Sequence, residues 1–178
     1  MSRLIVNQIQ GDAVTKNIEI PSGHTLYSPG HVIQYFHTVQ TYSLALATLN
    51  TYVDYHSTQG QITITPKSTS SKILIECMWQ AYIGNNAGSS EWSSINCRIL
   101  RGSTVITAAD PNTTDYMTAT YGGDASREMV YGNISNFDSP ATTSEITYKV
   151  QFNKRIGGST QYVNRYGRGY MRVMEIAQ

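Results

Sequence analysis

Apolar and polar residues alternate along most of this chain, and glycine, proline and clusters of small polar residues interrupt the alternation at short intervals. "SKILIECMWQAYIG" is the strongest run and predicts a central strand, with Ile73, Ile75, Cys77 and Trp79 on one face. "SEITYKVQF" alternates as cleanly: Ile146, Tyr148, Val150 and Phe152 share one face, and Thr147, Lys149 and Gln151 share the other. "QITITP" alternates and closes on Pro66. "SSINCRILRG" followed by "STVITAA" predicts a hairpin that turns at Arg101-Gly102-Ser103. "HVIQYFHTV", "REMVYGNIS", "QYVNR" and "YMRVMEIAQ" add further strands, and "YSLALATLNTYV" reads as extended chain or a short turn.

Between these runs lie turn signals. Residues 108–125 read as a surface loop, and Arg165–Gly169 reads as a glycine-rich turn. Nine or ten short strands with no helical period predict an all-β protein, an antiparallel sandwich or barrel.

The front of the chain differs. In "LIVNQIQ" and "NIEIPSG", Leu4, Val6, Ile9, Ile18 and Ile20 are apolar among polar neighbours, and Pro21-Ser22-Gly23 and Ser28-Pro29-Gly30 punctuate them. Two short strands bury too little to stand alone. Residues 1–30 are therefore expected to be an extended N-terminal strand arm and residues 31–178 the β-sandwich domain. A strand edge gains hydrogen bonds by pairing with another chain. Leu4, Val6, Ile9, Ile18 and Ile20 are thus candidate anchors on a partner or neighbouring subunit. The alternative is that the arm completes the chain's own sheet.

Composition narrows the function classes. Only 14% of the 178 residues are charged and the net charge is +1, while Ser, Thr, Asn, Gln and 13 Tyr supply the polar surface. Nothing global attracts nucleic acid or an anionic membrane. No window of eighteen apolar residues predicts a membrane span, and no charged-then-apolar leader predicts secretion. Cys77 and Cys97 share the apolar parity of their strands and are expected to be buried, reduced thiols, with a cross-strand disulfide, which spacing cannot deduce, as the alternative.

Candidate chemistry is sparse. His24, His31, His37 and His56 have no metal-ligand spacing, and no phosphate-binding or nucleophile motif is present, so no metal or cofactor is expected. Glu76 sits on a hydrophobic strand and is expected on its outer side, paired with Arg98 or Arg101. A glycoside hydrolase needs paired carboxylates, which the pattern does not supply, so no enzymatic activity is expected.

Trp79 has core parity. Trp92, Tyr116 and Tyr121 are the candidate sugar-stacking residues. "YVNRYGRGYMR" interleaves tyrosine and arginine as single-strand nucleic-acid clamps do. The near-neutral charge favours instead a hairpin turn whose Arg165 and Arg168 are exposed to a partner.

Taken in order, "PGHVIQ", "ITPKSTSSKILIE", "RILRGSTVI", "DSPATTSEITYKVQF" and "MRVMEIAQ" resemble small virion structural proteins of tailed bacteriophages, over roughly residues 29–178. That resemblance implies a jelly-roll-like β-sandwich, often a homotrimer, displayed on the virion. It transfers no catalytic residue. Two roles follow. One is a capsid decoration (cement) protein bound to the major capsid protein or another virion protein. The other is a tail- or head-fibre domain recognising host surface glycans.

Overall fold

The computed structural model describes residues 28–84, 92–107, 116–121, 127–156 and 159–178. The expected N-terminal arm falls, up to residue 27, outside the described residues. The strands are β1 (Val32–Gln40), β2 (Leu44–Leu46), β3 (Val53–Asp54), β4 (Gln61–Ile64), β5 (Lys72–Gly84) and β6 (Trp92–Arg101). They continue with β7 (Thr104–Val105), β8 (Tyr116–Tyr121), β9 (Arg127–Asp138), β10 (Ile146–Ile156), β11 (Gln161–Val163) and β12 (Gly169–Ile176). Residues 116–121 were expected inside a loop. They form β8 instead, paired along β6.

Several short strands lie end to end and act as one lane. β11 and β12 both pair with the same edge of β5, while β2 and β1 line up beyond them. β3 and β4 share one edge of β10, and β7 and β8 share one edge of β6. Counted this way, the described residues lay down eight lanes in two antiparallel sheets. Sheet 1 runs β9, β5, β11/β12, β2/β1, and sheet 2 runs β3/β4, β10, β6, β7/β8. Successive lanes cross between the sheets everywhere except the β6–β7 hairpin. This is a jelly-roll-like antiparallel β-sandwich.

The core lies between the sheets, where the period-two pattern placed it. Ile73, Ile75, Cys77, Trp79, Ala81 and Ile83 of β5 are fully buried against Ile95, Cys97 and Ile99 of β6 and Tyr148, Val150 and Phe152 of β10. Trp79 meets Phe152 edge-on, with ring centroids 5.3 Å apart. Each such side chain contributes about 1.5–3 kcal/mol on burial. Cys77 and Cys97 are free thiols that meet between the sheets. Burial, reinforced by Cys77, pushes the Cys97 thiol well up.

Buried polar groups tie the layers together. Asp138, at the end of β9, receives Arg101 Nη1 at 3.0 Å on each oxygen and the Tyr148 hydroxyl at 2.7 Å. This joins sheet 1 to sheet 2. Burial first and the Asp138 carboxylate second push the Tyr148 hydroxyl up. Glu175 of β12 is fully buried and accepts the backbone N–H of Lys67 at 2.7 Å and Gln34 Nε2 at 2.5 Å.

The predicted hairpin is present: Arg101 pairs with Thr104 across Gly102-Ser103, and Gly102 supplies φ +58°. The predicted hairpin at Arg165–Gly169 is not. β12 continues the lane of β11 in the same direction, Val163 facing Ala81 and Tyr170 facing Met78. Residues 164–168 are therefore a loop-out from one lane rather than a reversal.

Candidate functional site

β5, β9 and β12 carry large apolar side chains at both parities, so sheet 1 has a second apolar surface facing away from the core. Register aligns this outer face in rows. Phe137, Leu74, Met174 and Tyr35 form one row across the four lanes. Asn133, Met78, Tyr170 and Val39 form another. Towards the other end, Tyr131 stands opposite Gln80, and Met129, Tyr82 and Tyr162 are aligned beyond it. Tyr131 is 66% exposed and Phe137 59%, which is high for aromatics on a sheet face.

A charged row crosses the middle. Arg172 Nε donates to Glu76 Oε2 at 2.6 Å, and the Arg172 guanidinium lies 4.9 Å from the Tyr170 ring. Burial pulls the Arg172 value down, but the Glu76 carboxylate outweighs it and the net shift is upward. The expected partners of Glu76, Arg98 and Arg101, sit on the other sheet. Arg98 donates to Gln151 at 2.8 Å and Arg101 binds Asp138. Glu76 was thus placed on the correct side of its strand with the wrong partner.

The loop-out builds the tyrosine-rich end. Asn164 takes φ +56°; its N–H donates to the Gln80 carbonyl at 2.7 Å, and its Oδ1 accepts the Gln80 N–H at 2.8 Å. Its Nδ2 donates to the buried Tyr55 hydroxyl at 3.1 Å. Gly169 lets this side chain and Gln40 close over the Met78 carbonyl. Anchored in this way, the loop-out presents Arg165 among three tyrosines. Its guanidinium lies 4.9 Å from Tyr82, 4.2 Å from Tyr162 and 5.2 Å from Tyr166.

The outer face of sheet 2 is polar by contrast. Thr63 and Thr147 hydrogen-bond at 2.8 Å, and Asp54 accepts Lys149 Nζ at 3.0 Å and Gln151 Nε2 at 2.6 Å. Burial raises the Asp54 value slightly, but these two donors together hold it below the usual carboxylate range.

The sequence-predicted recognition residues do not converge. Leu4, Val6, Ile9, Ile18 and Ile20 lie outside the described residues. Trp92 and Tyr121 are register partners on β6 and β8, and Tyr116 pairs with Cys97 further along. Arg165 is on the opposite sheet, enclosed by tyrosines, and Arg168 is exposed beside it. The residues that sequence reasoning missed are Tyr35, Met129, Tyr131 and Phe137. Their signal was available: "REMVYGNISNF" places Met129, Tyr131 and Phe137 at one parity and Val130 and Ile134 at the other, so large apolar residues fall on both faces.

No protein-family model matches the chain, and no curated protein matches it. Among solved structures it is similar to the tripod from the baseplate of bacteriophage Tuc2009. There the identity is 14% over 98% of this chain and 84% of that one, with a TM-score of 0.35. It is also similar to the infectious bursal disease virus VP2 subviral particle, at 10% identity over 90% of this chain and 37% of that one, with a TM-score of 0.28. Both scores fall below the level at which two chains share a fold, and the functional reading stands on this chain's own residues.

Proposed function

We propose that this chain is a structural protein of a bacteriophage particle: a capsid decoration protein, bound as a trimer, that stabilises the shell through its N-terminal arm. The observation that carries this reading is the lane order of the sandwich. The segments resembling virion proteins, from "PGHVIQ" to "MRVMEIAQ", build its jelly-roll-like sheets.

The base of the arm supports an anchoring role. Gly30 N–H donates to the Ala177 carbonyl at 2.8 Å, and Ala177 N–H returns to the His31 carbonyl at 2.9 Å. The chain thus enters β1 from a fixed point at the end of sheet 1. Twenty-seven preceding residues can span up to about 90 Å when extended, enough to reach a neighbouring subunit. Binding to the assembled shell and not to its free subunits stabilises the shell by mass action.

Deleting residues 1–27 tests this. The reading predicts a folded domain that no longer sediments with particles. A domain that unfolds would mean that the arm completes its own sheet.

A second reading is a fibre-head domain that recognises host glycans, with the facing Trp92 and Tyr121 as its platform. Replacing both with alanine would then abolish adsorption while particles still assemble.

A further inference from the structure

We propose that the outer face of sheet 1 is the surface by which copies of this chain bind one another. This specifies the contact of the trimer proposed above and does not depend on where in a particle that trimer sits.

The sequence pattern supports burial on both sides of the sheet. Strands that face solvent on one side alternate apolar and polar residues, as β10 does, whereas strands covered on both sides are apolar throughout. β5, β9 and β12 lie between the two: polar residues interrupt them, yet each carries large apolar residues on both faces, Leu74 and Met78 on the outer side of β5 and Met129, Tyr131 and Phe137 on that of β9. Among the described residues this second face, with Tyr35 of β1 beside it, is open: Tyr35, Met129, Tyr131 and Phe137 are each more than half exposed.

Size and charge fit a protein partner. Four lanes at about 4.8 Å spacing and eight residue steps of about 3.4 Å along β9 span about 500 Å² in projection. Side chains standing off the sheet and the rim lift this towards the roughly 800 Å² that each partner gives to a standard interface. Tyrosine, methionine and arginine, which dominate this face, are enriched in such interfaces. The central charges neutralise each other through the Glu76–Arg172 pair, and a net charge of +1 lets copies meet with little repulsion.

The central polar groups are engaged within the chain, Glu76 with Arg172 and the Gln80 side-chain oxygen with the Tyr166 N–H. The charged row also separates two unlike apolar ends, one around Phe137 and Tyr35 and one around Tyr131 and the caged Arg165. Unlike patches that meet head to tail form a trimer where the rotation closes after three copies, whereas the face meeting its own copy would form a two-fold dimer.

The test uses the full chain and measures mass in solution by light scattering and sedimentation. The wild type is expected at three times 19.7 kDa. The Tyr131→Ser/Phe137→Ser variant should run at the single-chain mass at the same concentration, with dissociation strengthened about a hundredfold or more, as when central aromatic anchors are removed. Its circular dichroism and melting should match those of a dissociated wild type, since both side chains are exposed. Thr63→Ala, on the outer face of sheet 2, should leave the mass unchanged.

A wild type that stays monomeric at tens of micromolar, or an assembly that survives the double substitution, would overturn the proposal. So would a monomer whose tyrosine fluorescence responds to envelope oligosaccharide and loses that response in the variant. The particle reading fails separately, if the chain is absent from purified virions whatever its mass in solution.

Discussion

Glu76 and Arg172 face each other across β5 and β12, joined by a 2.6 Å hydrogen bond in the middle of the outer face of sheet 1. In a lone chain this pair is part-exposed, and such pairs contribute at most about 1 kcal/mol. Glu76→Gln should therefore lower monomer stability by less than that in urea unfolding. In the assembled protein the same change leaves a guanidinium buried without its carboxylate, which costs about 3–5 kcal/mol. The oligomer should consequently dissociate at much higher concentration. Equal, small effects in dilute and concentrated samples would argue that the face is not buried.

The loop-out between β11 and β12 depends on Gly169. A Cβ at this position would run into the Met78 carbonyl oxygen and come within 2.8 Å of Gln40 Oε1. Backbone cannot yield cheaply there, so Gly169→Ala should destabilise the fold by about 3 kcal/mol, the upper range for overpacking. Gly102→Ala serves as the comparison. Its Cβ meets open space and costs only the left-handed φ, about 1–2 kcal/mol. Thermal unfolding of the two variants checks the order; a milder Gly169→Ala would sink this account of the loop-out.

The legible part of this fold is the part written locally. The parity of Ile73, Ile75, Cys77 and Trp79, and of Tyr148, Val150 and Phe152, placed the core correctly because a strand's period is set by adjacent residues. Gly102 marked its hairpin for the same reason. Glu76 was matched to the wrong arginine because its partner is 96 residues away, and pairing between distant strands depends on lane order. The loop-out was misread as a reversal because Asn and Gly punctuate both. What separates them is Asn164 bonding to Gln80 on β5, a contact 84 residues long. The outer face of sheet 1 was overlooked because single aromatic residues were weighed one by one, rather than the large apolar residues on both faces of whole strands.

Cys77 and Cys97 should be silent to thiol reagents in the folded protein. Both are fully buried, and burial holds the Cys97 thiol in its protonated, unreactive form. Ellman's reagent should report no fast-reacting thiol in the native protein and two after denaturation. Rapid reaction at neutral pH without unfolding would contradict the packing.

Stability should fall in alkali. Burial, opposed only in part by the Asn164 hydrogen bond, pushes the Tyr55 hydroxyl up to about 12, and Tyr148 is also raised. Both phenols hold their protons more tightly in the folded chain than in the unfolded one, where the value is about 10. Their contribution is thus intact below pH ~10 and is lost as pH rises through the folded values. Spectrophotometric titration should show these two tyrosines ionising after the exposed ones. Tyr55→Phe should flatten the decline between pH ~10 and 12. An unchanged slope would assign the loss to other groups.

The particle reading is tested most directly by copy number: quantitative mass spectrometry of purified virions, measured against the major capsid protein. The account predicts that the chain is present at a fixed fraction of the capsid protein, in multiples of three, and is released when residues 1–27 are removed. A few copies matching tail or vertex symmetry would contradict decoration in favour of a receptor-binding fibre. Absence from the particle would contradict the account altogether.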